Sequence, residues 1–160
     1  MTIIFFLPKN ELISFLDNKV LSKEKITVKV ALKNNLLNYK AHNSKVIYDK
    51  NLIATLGMVK ISPFILYNNI ELKNIKLEGM GGSLFPSKIE KAILNISMLN
   101  PTKVLINIHG EFGYASGYFD LTKSFLHLEL TPSNLLKRNY SFVFKMMKKS
   151  NKKYVYEYKL

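Results

Sequence analysis

Cysteine is absent from this chain of 160 residues, which excludes thiol catalysis, a cysteine-ligated zinc site and a disulfide framework. A reducing cytosol and a disulfide-free periplasm fit that absence equally, so it fixes no compartment. Arginine is almost missing too: of 24 basic residues only Arg138 is arginine, whereas phosphate and base recognition favour its planar fork. Acids are scarce, 11 in all, and the formal charge is +13. Such a charge points in principle to nucleic acid or an anionic membrane surface. Carried by lysine amid abundant asparagine and isoleucine, it suits a solvated lysine face in a protein of AT-rich coding composition.

A long apolar run is also lacking. Met1 to Leu7 are almost wholly apolar, but a spanning helix needs about 20 such residues, and Lys9, Asn10 and Glu11 follow at once. The basic n-region and small-residue cleavage site of a signal peptide are missing. Two readings of residues 1–7 stand: a buried first strand, or the remnant of an amino-terminal membrane anchor whose upstream half lies outside this chain. Residues 8–160 are expected to form one β-rich domain, long enough to bury its own core without metal or disulfide.

One segment carries helical spacing. From Pro8 to Leu21, Leu12, Leu16 and Val20 fall on one stripe, with Pro8 and Glu11 suited to a first turn. From Lys25 onward the period is two. Ile26, Val28, Val30 and Leu32 alternate with polar neighbours, and a second strand runs from Leu37 past Val46 and Tyr48. Leu52 to Ile61 and Ile70 to Glu78 follow, split by Pro63 and an expected turn at Asn68-Asn69. Lys88 to Leu99 alternates through Ala92, Leu94, Ile96 and Met98, with a turn expected at Asn100-Pro101. The clearest stretch is Val104 to Pro132, where three apolar runs separated by glycine turns describe consecutive antiparallel strands with one dry face. Ser133 to Lys137 suits a single helical turn. Tyr140 to Met147 and Tyr154 to Leu160 are expected to pair as a terminal hairpin. The predicted fold is therefore mainly β: an antiparallel sandwich or an open, taco-like sheet of about ten strands with one amino-terminal helix.

Chemistry-bearing constellations are weak. Gly79, Gly81 and Gly82 resemble a phosphate loop only superficially, because no lysine and hydroxyl follow the last glycine and no Rossmann spacing opens a helix; a wide turn or bulge is expected there. The three histidines, His42, His109 and His127, never adopt the spacing that sets two ligands on one helix face. His109 and Glu111 lack a visible third ligand. Ser116, His109 and Asp120 make a triad only on paper, since no nucleophile elbow accompanies them. No catalytic residue, metal or cofactor is predicted, and the chain is expected not to be an enzyme.

Two binding surfaces are candidates. If the sheet is open, one alternating set, Ile70, Leu72, Ile106, Ile108, Leu126, Leu128 and Leu130, lines an apolar groove able to hold an acyl chain; if closed, the same set is core. The carboxyl-terminal segment interleaves Phe142, Phe144, Tyr154 and Tyr156 with Lys145, Lys148, Lys149, Lys152 and Lys153. Aromatics beside cations suit single-stranded nucleic acid or a lipid interface, and suit equally a closing strand pair with aromatics inward and lysines outward.

The order of parts resembles the type II secretion protein N family, the general secretion pathway N proteins, which are related in form to AsmA-like and lipopolysaccharide-transport C-like envelope proteins. The likeness rests on F-L-P-K-N-E-L-I-S-F-L near the start, I-E-L-K-N-I-K-L-E-G-M in the middle, and H-G-E-F-G-Y-A-S-G-Y-F-D-L leading into L-H-L-E-L-T-P-S. It implies a non-enzymatic accessory component of type II secretion, tethered at the periplasmic face of the inner membrane and working through contacts with other envelope or secretion proteins. The alternatives it leaves are an envelope lipid-binding or lipid-bridging protein of AsmA or lipopolysaccharide-transport C type and, outside the resemblance, a cytosolic basic nucleic-acid-binding domain.

Overall fold

The computed structural model describes residues 26–29, 32–34, 39–63 and 67–159. The expected helix Pro8 to Leu21 and residues 1–7 lie outside them. Eleven strands form one antiparallel sheet: β1 (Ile26–Lys29), β2 (Leu32–Asn34), β3 (Tyr39–Tyr48), β4 (Asn51–Pro63), β5 (Tyr67–Leu77), β6 (Lys88–Ser97), β7 (Asn100–Gly110), β8 (Gly113–Asp120), β9 (Phe125–Pro132), β10 (Lys148–Ser150) and β11 (Lys153–Lys159). From β3 to β9 each strand pairs with the next, an up-and-down meander; β1 and β2 both pair with β3 at one edge, and β11 then β10 close the other. Of the two predicted architectures the chain takes the open sheet. From β3 to β9 a run of hairpins keeps each strand beside its predecessor, so among the described residues no connection there carries the chain over to a second layer.

Register aligns the apolar positions into rows. Ala41, Val59, Leu72, Ala92, Ile108, Ala115, Leu130 and Tyr154 are successive partners across eight strands. The neighbouring row is Ile61, Ile70, Leu94, Ile106, Gly117, Leu128 and Tyr156, and the next Ile96, Val104, Phe119, Leu126 and Tyr158. Opposed residues share a face, so all three rows line one side of the sheet.

A crease crosses four of these strands. Pairing skips Asn43, Gly57 and Asn74, and slips at Glu90; Asn43 and Asn74 adopt left-handed backbone, φ 52° and 51°, a conformation asparagine tolerates better than most residues. Alternation therefore steps by three there. Ala41 and Ser44, and Val59 and Leu56, are buried on the same face. The bulged residues bend the sheet about the apolar side. One core cluster of Ala41, Ala54, Leu56, Val59, Ile75 and Ala92 fills this fold.

Three connections depart from expectation. Glu78 to Pro86 is a short helix, α1 (Gly79–Leu84), rather than a wide turn; Gly79 enters it at φ +58°, and the bond from Leu77 N–H to Ser87 O closes the loop beneath it. Asn68, Asn69, Asn100 and Pro101 lie within strands, and the turn after β6 falls at Met98-Leu99. Tyr140 to Met147 is not a hairpin arm. The chain after β9 forms α2 (Asn134–Asn139) and a 3-10 helix (Ser141–Met146), and the hairpin is β10 with β11. Because β11 inserts between β9 and β10, that connection must step over one strand position, and the helical segments span the gap.

Candidate functional site

All seven residues expected to line an apolar groove lie in the three rows above, on one face. Among the described residues no second sheet covers that face. Six of the seven remain partly exposed, and only Leu130 is fully buried.

One end of this trough is capped. Pro132 stops β9, and Ser133 starts α2: its hydroxyl accepts from Leu136 N–H at 3.1 Å and donates to Glu111 O at 2.6 Å, an N-cap that also ties the helix to the β7–β8 turn. Leu136 is thereby fully buried and joins Phe112, Ala115 and Leu130 in a second core cluster. Phe112, which occupies that turn, is 2% exposed, and Phe85 from the end of α1 meets it with ring centroids 5.4 Å apart. Phe144 of the 3-10 helix stacks on Tyr154 at 4.3 Å.

Between this cap and the sheet lies a cavity of about 310 Å³. Ile108, Ala115, Leu128 and Leu130 form its floor, Tyr156 a side, and Phe85, Phe112 and Met147 its roof. Its size is at the lower end of small-molecule sites, which run from about 300 to 1,000 Å³. Its walls offer dispersion contacts and no charge, so a ligand matching them is an alkyl chain rather than a polar metabolite. Sequence periodicity found the floor. The roof comes from turns and short helices, which carry no periodic signal; Phe112 between two turn glycines, and an apolar residue three positions after Ser133, were the available cues.

The basic-aromatic candidates do not converge. Tyr154 and Tyr156 pair with Leu130 and Leu128 on the apolar face, whereas the intervening strand positions face the other way. Lys153 donates to Glu129 Oε2 at 2.7 Å and Lys148 to Glu157 Oε2 at 3.3 Å on that outer face. Phe142, Lys145, Lys149 and Lys152 are exposed. His127 stands between the two carboxylates, 3.2 Å from Glu157 and 3.9 Å from Glu129, and stacks on Tyr118. The Lys153 ammonium holds the Glu129 carboxyl below its usual range, and hydrogen bonding from His127, then Lys148, does the same for Glu157.

The remaining polar candidates are scattered. His109 bonds Glu90 at 2.9 Å, and Glu111 lies in the turn beyond. Ser116 lies in the middle of β8. Asp120 is occupied as a turn cap, accepting from Thr122 Oγ1 at 2.6 Å and from the N–H groups of Thr122 and Lys123 at 3.0 and 3.1 Å; these donors hold its carboxyl below the ordinary value. Among the described residues no three acidic or histidine side chains are placed to hold a metal ion, and no helix is long and apolar enough to cross a membrane. No protein-family model, curated protein or solved structure matches the chain.

Proposed function

We propose that this protein is a non-enzymatic envelope module that holds a lipid acyl chain along the concave face of its open sheet. The observation that carries the reading is the apolar cavity continuous with a sheet face that, among the described residues, no second layer covers. Burying alkyl carbon there contributes about 0.8 kcal/mol per methylene, so affinity rises roughly fourfold with each carbon added until the trough is filled. The reading agrees with the AsmA and lipopolysaccharide-transport C likeness and takes from it a place at the periplasmic face of the inner membrane.

The secretion-accessory alternative draws on the same likeness but less on the geometry. Strand β10 is three residues long, fully exposed and carries two lysines, features that discourage strand addition at that edge. Nucleic-acid binding draws less again, because the lysines of β11 lie on the face opposite its tyrosines, and of the lysines of β10 only Lys149 is paired with one of those tyrosines.

The test is titration of the purified, delipidated chain with fatty acids of increasing length, alongside extraction of lipid from undelipidated protein. Saturable uptake that strengthens with chain length, and that falls at least tenfold in a folded Ala115→Phe protein, is the expected result. Absence of co-purifying lipid together with no saturable uptake refutes the proposal. Protease treatment of intact spheroplasts checks the compartment: digestion from outside supports it, protection opposes it.

A further inference from the structure

The end of the trough opposite the cap has its own character. Strand register brings the Met98-Leu99 turn, the Leu121 to Ser124 turn and the end of β11 to the same edge. The bond from Leu121 N–H to Thr102 O, 2.8 Å, ties the second of these turns to the start of β7, three residues after Leu99. Leu99 is 95% exposed and Leu121 50%, with Met98 and Tyr158 exposed beside them. Leu99 is the most exposed of the large apolar side chains described, and with Met98 and Leu121 it sits at turn tips where the third apolar row ends in Tyr158.

Among the described residues the free charge around these tips is positive. Lys103, Lys123 and Lys159 surround them, and the one carboxylate described at this edge, Asp120, is buried and bonded by three donors from its own turn. Thr122, Lys123, Ser124, Phe125 and Lys159 line a shallow hollow beside Leu121, offering two ammonium groups and the Ser124 hydroxyl, while the Thr122 hydroxyl donates to Asp120. Lys103 lies over the Tyr118 ring at 4.8 Å, which holds its stem against the sheet.

We infer that this open rim docks on an anionic phospholipid bilayer, with Leu99 and Leu121 entering the interface and the hollow at Lys123 and Lys159 receiving a headgroup phosphate. Apolar tips bounded by lysines match a surface that is apolar at depth and negative at headgroup level, and Tyr158 is suited to the boundary between them. The rim is continuous with the apolar rows, so docking would align the trough with the acyl region of the leaflet. This inference deepens the acyl-holding proposal and rests on it for its purpose, not for its occurrence.

The experiment is flotation of the full chain with vesicles of phosphatidylcholine alone or mixed equally with phosphatidylglycerol. A surface lysine contributes roughly fivefold in partitioning onto anionic lipid, so K123Q with K159Q should lower binding to the mixed vesicles roughly twenty-fivefold. Leu99→Ser with Leu121→Ser should abolish retention at high salt. K88Q with K137Q removes the same charge at the capped end and should leave most binding intact. If that control loses as much as the rim pair, or if the rim variants float like the parent, net charge alone is responsible and the inference fails. If the leucine variant instead changes the mass seen by sedimentation equilibrium, the rim is a contact between protein copies, which also overturns it. Fatty-acid uptake from solution separates the two proposals: rim-dependent flotation without uptake leaves the docking surface standing and refutes acyl holding, and uptake without rim-dependent flotation does the reverse.

Discussion

Truncating Leu136 to alanine tests whether the cap is held by a single buried side chain. Helix α2 has six residues, far too few to be stable alone in water, so its position depends on the Ser133 cap and on Leu136, which is fully buried against Phe112, Ala115 and Leu130. Leucine-to-alanine changes in cores cost about 2–5 kcal/mol, less where the surroundings collapse into the hole. A short helix between two loops can shift inward, which places L136A near the middle, at about 3 kcal/mol. For a chain of this size each kcal/mol moves Tm by about 2–4 °C, giving a fall of roughly 6–12 °C. The change also acts locally. Lys137 and Arg138 follow Leu136 in the same helix, and an opening made easier by about 3 kcal/mol is populated roughly a hundredfold more, with trypsin cleavage there accelerating in proportion. Urea denaturation and a trypsin time course on the same preparation measure both. A loss below about 1 kcal/mol with unaltered cleavage would mean that the cap does not hang on Leu136, and the account of how the trough is closed at that end would be wrong.

Ser44 is buried and its hydroxyl has no hydrogen-bond partner, so Ser44→Ala should be neutral or stabilising by up to about 1 kcal/mol, read as an unchanged or raised urea midpoint. Gly117 lies where any Cβ would meet the His127 carbonyl of β9, and Gly117→Ala should destabilise by about 2 kcal/mol or more, seen in the same denaturation assay. The Lys91 ammonium, 2.9 Å away, and Lys73 at 3.4 Å hold the Glu71 carboxyl below its ordinary value. A depressed carboxylate stabilises the fold above its unfolded pKa, near 4.3, and that contribution disappears as pH falls through the lower folded value. Unfolding midpoints of the parent and Glu71→Gln should therefore diverge above about pH 5 and converge toward pH 3; parallel curves across that range would refute the linkage.

Much of the sheet was legible because a strand with one dry face leaves a period of two in its own residues. Leu126, Leu128 and Leu130, or Ile106 and Ile108, announce a shared face without any knowledge of their neighbours, and hairpin spacing makes consecutive strands pair. The crease was hidden for the same reason. A left-handed residue at Asn43 or Asn74 shifts the period by three at one point, and a single strand cannot show that its neighbours shift at the same level. Tyr140 to Met147 alternates like a strand yet forms a 3-10 helix, because the insertion of β11 between β9 and β10 decides what that segment must span.

The sequence by itself determined the class of protein: antiparallel strands, one apolar face, an excess of lysine, and no thiol chemistry. These are local or compositional properties, written in each residue and its near neighbours. Only the tertiary structure decided that the strands stay in one open layer, that Phe85, Phe112 and Met147 close one end over a cavity, and that Leu99, Leu121, Lys123 and Lys159 share the other. Each of those facts joins residues distant in the chain, and their meeting is set by pairing order and register, which no single segment encodes.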